Sequence, residues 1–185
     1  MKRLFGLLLI LATPALADDA CHDLWFARNA TFDRAGFCFG SALGKAVFDN
    51  TGCIGNSVAL STDAAALVVR IREREAEHGC RVDASRTVLE LRDLPIRRLL
   101  VRQPVRDVFE SACLGWLSTP TPLFAGPDAA TGAIGEITAG AYVSYAYEAE
   151  GGWTYVTTST PDWTVTSGGW LEVATVEERC TDFAG

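Results

Sequence analysis

The chain has 185 residues, with 16 basic and 23 acidic side chains and a formal net charge of −7. An acidic balance of that size argues against general association with nucleic acid or with an anionic membrane surface. The length suits two small domains, each burying only a modest core.

Lys2 and Arg3 head an apolar run from Leu4 to Leu11, and Pro14-Ala15-Leu16-Ala17 supplies the small-x-small pattern read by signal peptidase. The run is far shorter than the roughly 20 residues that span a bilayer. Residues 1–17 are therefore expected to be a cleaved signal peptide, leaving a product in the periplasm or outside the cell with no stable membrane insertion. Removing Lys2 and Arg3 leaves 14 basic residues against 23 acids. Six cysteines on an exported chain read as three disulfides, because an oxidising compartment lets them persist. No Cys-x-x-Cys pair occurs, and neither His22 nor His78 sits in a zinc-type cluster, so no metal or other cofactor is expected.

The stretch "WFARNATFDRAGFCF" at 25–39 is dense in aromatics, and residues 22–35 read as a helix stopped by Gly36. Trp25, Asn29 and Phe32 then fall on one face, with Trp25 and Phe32 as core residues. Asn29 with Arg28 or Arg34 is expected to satisfy nearby backbone carbonyls. "LGKAVFDNTGC" (43–53) reads as a short helix or turn ending in a turn signal. Residues 61–80 form the clearest helix, capped by Ser61 or Thr62 and ended by Gly79. Residues 82–106 are ambiguous between strand and helix, and "RDVFESACLGW" (106–116) is expected to add a final turn or two of helix. Residues 70–106 hold ten arginines against six acids, while 126–185 hold nine acids and only Arg179. That asymmetry reads first as solvated helix faces; a bipolar surface or an intramolecular contact between the halves are the alternatives.

After Leu117 the grammar changes to β-branched and aromatic runs broken by glycine. Strands are expected near 122–125, 133–137, 141–148, 153–158 and 168–173. The phrase "GGWTYV" at 151–156 returns as "GGWLEV" at 168–173, with glycines suited to a turn or bulge ahead of each tryptophan.

Two resemblances follow from these residues. Gly126-Pro127, Ile134-Gly135, Gly140 to Val143, Gly152-Trp153 to Val156 and Gly169-Trp170 resemble the landmarks of a bacterial SH3 domain, although Leu123-Phe124-Ala125 replaces the polar first strand common there. Arg28-Asn29, Phe32, Asp33, Arg34, Ala35, Gly36 and Phe37 resemble the YARHG domain of exported bacterial proteins, with Ala35 where that pattern has histidine. Together they resemble exported bacterial proteins of unknown function. The expected architecture is α+β: a small disulfide-stapled helical domain over 18–117, then a five-stranded SH3-like β-barrel with a C-terminal tail over 118–185.

Six cysteines allow fifteen connectivities. If the helices beginning near residue 22 and ending near 78 run antiparallel, Cys21 lies near Cys80. Cys38 then reaches Cys53 across a short loop, and Cys113 with Cys180 brackets the barrel. With every thiol paired, no nucleophilic cysteine is left, and neither histidine lies in a nucleophile motif, so no catalytic residues are expected. A hydrolase with unrecognised carboxylates is the least favoured reading. The leading one is a noncatalytic envelope protein that binds peptidoglycan peptide or an envelope protein. The other is a periplasmic inhibitor or immunity-type protein that occludes an enzyme. Such SH3-like domains commonly bind cell-wall peptides or proteins. Aromatics offer large rigid area with a polar edge, and Tyr145, Tyr147, Trp153, Tyr155, Trp163 and Trp170 are the candidate ligand-binding residues. Trp163, in the "TPDWT" loop, is the most exposed by expectation.

Overall fold

A computed structural model describes residues 15–173 and 180–185. Most of the expected signal peptide, and Arg179, lie outside these residues. Among those described, the chain forms helices α1 (Ala15–Arg34), α2 (Ala42–Phe48), α3 (Thr62–Glu77) and α4 (Leu94–Arg97). They are followed by strands β1 (Arg106–Trp116), β2 (Thr121–Phe124), β3 (Ala133–Ile137), β4 (Tyr142–Tyr147), β5 (Trp153–Ser159), β6 (Val165–Glu172) and β7 (Cys180–Ala184). No helix among them is long and apolar enough to cross a membrane.

α1 has no glycine or proline between its ends, and Gly36, at φ +84°, turns the chain away after it. Two faces of this helix are buried, not the single face expected. Trp25, Phe26 and Ala30 pack with Leu43, Val47 and Leu89, while Leu24 and Ala27 pack with Leu67, Ile71 and Val105. α1 is thus the central helix, with α2 on one side and α3 on the other. Phe32 is half-buried, edge-on to Phe37. Asn29 donates to the Trp25 carbonyl, and Arg34 donates to the carbonyls of Leu100 and Val101. Arg28 instead pairs with Glu75 on α3. Ser61 is the cap of α3, accepting from the Ala64 amide.

The strands form one antiparallel sheet in the order β3-β2-β6-β5-β4-β1-β7. The four longer expected strands stand close to their predicted bounds as β3 to β6, but the five-stranded closed barrel does not form. The sheet is open, with β3 and β7 as its edges, and two further strands extend it. One of these, β1, covers the residues expected to be helical. Ala112 to Trp116 pair with β7, and Ser111 to Cys113 pair with β4. Gly115, at φ +74°, resets the strand's alternation, so Cys113 and Trp116, three apart, both enter the same core. A domain boundary at 117/118 would therefore cut the sheet between β1 and its partners. Six strands contribute to that core, which joins Cys113, Trp116, Leu123, Ile137, Val143, Val156 and Leu171.

Disulfides link Cys21–Cys80, Cys38–Cys53 and Cys113–Cys180, the pairing preferred among the fifteen. The first ties α1 to the segment after α3, and the last ties β1 to β7. The arginine excess of residues 70–106 is not simply solvated. Arg70 meets Glu148 at 2.5 Å and Glu150 at 3.7 Å, Arg74 meets Glu148 at 2.7 Å and Asp107 at 3.8 Å, and Arg102 meets Glu150 at 2.9 Å. The contact between halves, a less favoured expectation, is observed, since α3 meets β1 and its arginines reach Glu148 and Glu150 just after β4.

Candidate functional site

The helical half and the sheet meet around one arginine. Asp93-Leu94-Pro95-Ile96-Arg97 forms a single helical turn, which sets the Asp93 and Arg97 side chains on one face at i, i+4. Arg97 is 0% exposed. Its Nε donates to Asp93 Oδ2 at 2.9 Å, and its Nη2 donates to Asp23 Oδ2 on α1 and to the Tyr147 hydroxyl, both at 2.6 Å. The Tyr147 hydroxyl donates to Asp23 Oδ2 at 2.8 Å, and the Tyr155 hydroxyl donates to Asp93 Oδ2 at 2.9 Å. The guanidinium also lies 5.0 Å from the Tyr147 ring centre and 5.1 Å from that of Tyr155, within cation–π range.

Burial alone would strip the charge from Arg97, but the carboxylates of Asp23 and Asp93 hold its pKa well above the ordinary arginine value. Burial pushes the Asp23 carboxyl above the usual carboxylate range; Arg97 opposes that shift and Asp93 adds to it. Burial also pushes the Tyr147 and Tyr155 hydroxyls upward, which keeps both as proton donors. The centre is a fixed cation between two carboxyls, closed by two phenols.

A small cleft of about 90 Å³ opens beside this centre, between α1, the 91–93 segment and strands β1, β4, β5 and β6. Asp19, Asp23 and Asp93 bring carboxyls to it, Arg92 and Arg106 bring positive charge, and Ser144, Thr157 and Ser159 bring hydroxyls. Three buried atoms of these side chains have no hydrogen-bond partner among the described residues: Asp23 Oδ1, Arg106 Nε and Ser159 Oγ. At the lip stands Trp163, 46% exposed, its ring edge-on to Tyr142 at 5.3 Å. Its backbone is at φ +64°, a left-handed conformation that costs a bulky residue energy and that recurs at ligand clamps.

The six aromatic candidates separate into three environments. Trp153, Tyr155 and Trp170 are buried with Leu100, and Trp170 Nε1 donates to the Arg102 carbonyl; they are core residues and not a ligand surface. The reason is the 94–102 segment, which covers that face of the sheet. Tyr145 packs on the other core, with Val143. Tyr145 and Tyr147 therefore do not share one environment: the β1–β4 register shifts between Arg106 and Ser111, and Tyr147 lies beyond the shift, opposite Arg106. Tyr147 and Trp163 alone line the cleft. Asp23, Asp93, Arg97, Arg106 and Ser159 were not among the expected site residues. The signal for Asp23 is one carboxylate immediately ahead of the apolar run Leu24-Trp25-Phe26-Ala27.

Residues 79–185 match the family model described as Domain of unknown function (DUF4453), and residues 7–76 match the YARHG domain model. The two ranges meet at the C-terminal end of α3, and the model covering the sheet gives no support to an SH3 assignment. No curated protein and no solved structure matches the chain.

Proposed function

Since the chain belongs to the DUF4453 family, we propose that it is a noncatalytic exported protein whose polar cleft receives one group of a peptidoglycan peptide or of an envelope protein. The observation that carries this reading is the cleft itself. Asp23 Oδ1 and Ser159 Oγ offer buried acceptors, Arg106 Nε a buried donor, and an exposed, strained Trp163 stands at the lip. A buried polar atom left without a partner costs about 1–3 kcal/mol, which a ligand that supplies the partner recovers. An amide carries both a donor and an acceptor and suits the pair. The cleft is too small for a whole peptide, so Trp163 and Tyr142 would support the rest of the ligand outside it.

Three observations support a noncatalytic role. All six cysteines are held in disulfides, which leaves no thiolate. The residues lining the cleft include no histidine to activate Ser144, Thr157 or Ser159. The Oδ2 atoms of Asp23 and Asp93 are both committed to Arg97, so these carboxyls do not face each other across a substrate as an acid and a base. The disulfides and the YARHG domain favour an exported location.

The test is co-sedimentation of the disulfide-intact mature protein with purified sacculi, beside a pull-down from envelope extract under oxidising conditions. Retention by one of them, lost in Trp163→Ala and in Ser159→Ala while the fold is kept, is the expected result. Equal retention by wild type and both variants would overturn the site. The inhibitor reading draws on Phe183 and Phe109, exposed on the edge strand β7 and its neighbour β1. A retained enzyme whose capture survives Trp163→Ala but not Phe183→Ser would favour it.

A further inference from the structure

On the other side of Arg97 lies a second cavity, of about 260 Å³, between α1, the end of α2 and residues 97–103. We infer that this cavity is a separate binding site for a small zwitterion of the amino-acid class.

Two side chains make the case. Arg97 uses Nε and Nη2 on its carboxylates and the Tyr147 hydroxyl, and its Nη1 is buried with no hydrogen-bond partner among the described residues. Gln103, also fully buried, donates from Nε2 to the Arg97 carbonyl at 2.8 Å. A carbonyl oxygen can only accept, so this bond fixes the amide's orientation and leaves Oε1 as the acceptor. That Oε1 is also without a partner among the described residues. Both residues line this cavity, and neither lines the first cleft. The lining therefore holds one unpartnered donor and one unpartnered acceptor, each on a side chain fixed by the hydrogen bonds of its other atoms. Preorganisation of this kind spares a ligand the cost of ordering the groups that hold it.

Charge selects the class. Arg34, Arg97 and Arg98 face Asp33 and Asp49 around the cavity. Asp49 accepts from the Thr51 amide, which holds its carboxyl below the usual range and keeps it anionic. Asp23 and Asp93 sit behind Arg97 and offset its charge. A site so balanced disfavours a net ion and favours a molecule that carries both signs: a carboxylate toward the Arg97 and Arg98 guanidinium groups, and an ammonium toward Gln103 Oε1 and the aspartates. Phe26, Ala30, Val47 and Phe48 give an apolar wall for the carbon skeleton. The walls are themselves pinned, since Arg98 donates to the Val47 carbonyl at 2.9 Å and Arg34 to the carbonyls of Leu100 and Val101. The volume is well above the ~10–15 Å³ that one water needs.

The experiment is calorimetric titration and thermal-shift measurement on the disulfide-intact mature chain. The probes are glycine, alanine and leucine in both enantiomeric forms where they exist, with acetate, methylamine and acetamide as single-function controls. Zwitterions are expected to raise the melting temperature in a saturable way, and the controls are not. Gln103→Met is expected to weaken binding at least tenfold, and Ala30→Met to abolish it by filling the cavity, which keeps the test open if one variant fails to fold. Trp163→Ala is expected to leave the affinity unchanged, so failure of the first cleft and failure of this site read differently. The inference is overturned if no amino acid binds at about 10 mM, roughly a hundredfold above a Kd near 0.1 mM. It is equally overturned if the single-function controls bind as well, or if Gln103→Met and Ala30→Met both bind like wild type.

Discussion

Replacing Arg97 by methionine keeps much of the aliphatic stem and removes the cation. Three hydrogen bonds go with it, at 2.9, 2.6 and 2.6 Å, together with two ring contacts near 5 Å. What remains is two buried carboxyls, Asp23 and Asp93, each with one phenol donor and no cation in hydrogen-bond contact. Arg106, 3.9 Å from Asp23, is too far to replace the lost bond. Breaking a buried ion pair from one side costs about 3–5 kcal/mol, because the orphaned charge stays in a medium that solvates it poorly. That is a large share of the ~5–15 kcal/mol total expected of a domain, and three disulfides make it measurable by keeping the unfolded chain compact. Guanidinium unfolding followed by tryptophan fluorescence suits the question, since Trp153 and Trp170 are buried on the same face of the sheet. The triple variant Arg97→Met/Asp23→Asn/Asp93→Asn is expected to regain part of the loss, as the carboxylates no longer need a cation. Arg97→Lys is expected to fall between, because one ammonium cannot bridge two carboxylates as a planar fork does. A loss below about 1 kcal/mol for Arg97→Met, or a triple variant no more stable than the single one, would refute the reasoning.

Three further outcomes follow. Trp163→Gly relieves a left-handed backbone and is expected to hold or raise stability by up to about 1 kcal/mol while abolishing ligand retention; a melting temperature that falls well below wild type would assign Trp163 a folding role. Asp23 has a higher pKa folded than in the unfolded chain, where it is near 3.9, so the native state keeps a proton that the unfolded state has lost. Its contribution is complete below about pH 4 and is lost as pH rises through the folded pKa. The stability of wild type relative to Asp23→Asn should fall over that window and then level, and a difference that grows with pH would contradict the assignment. Cys113→Ser/Cys180→Ser opens a loop of 67 residues and is expected to cost ~4 kcal/mol in denaturant unfolding, more than Cys38→Ser/Cys53→Ser with its 15-residue loop; equal losses would mean that strain or residual structure governs both.

What could be read from the sequence is what is encoded locally. β3 to β6 announce themselves by alternation and by glycines at their ends, and α3 by its Ser61 cap. β1 does not, since Glu110-Ser111-Ala112-Cys113 has no strand character of its own. Its extended form is imposed from outside by pairing with β4 and β7 and by the bond from Cys113 to Cys180. The same distinction governs the site. Trp163 stood out because it lies in a Pro-Asp turn outside any strand pattern. Trp153, Tyr155 and Trp170 look equally available until the 94–102 segment is known to cover them, and that is a tertiary fact. Asp23 and Arg97 are 74 residues apart, and nothing in either neighbourhood names the other.

Why a protein should bury Arg97 between two aspartates, when apolar side chains of similar size would cost less to desolvate, is answered by α1. Buried on two faces, this helix offers little by which apolar packing alone fixes its rotation against its neighbours. A single carboxyl on it that must reach a single guanidinium admits one rotation and one height. That registration spans the two matched ranges, since Asp23 belongs to the YARHG part and Arg97, Tyr147 and Tyr155 to the DUF4453 part, and the Cys21–Cys80 bond crosses the same junction. Both cavities inherit their geometry from it. Asp19 and Asp23 stand opposite Ser159 and Trp163, and Phe26 and Ala30 stand opposite Gln103, only while α1 is held at that setting. The buried charges thus hold α1 against the sheet in the one setting that places these surfaces opposite each other.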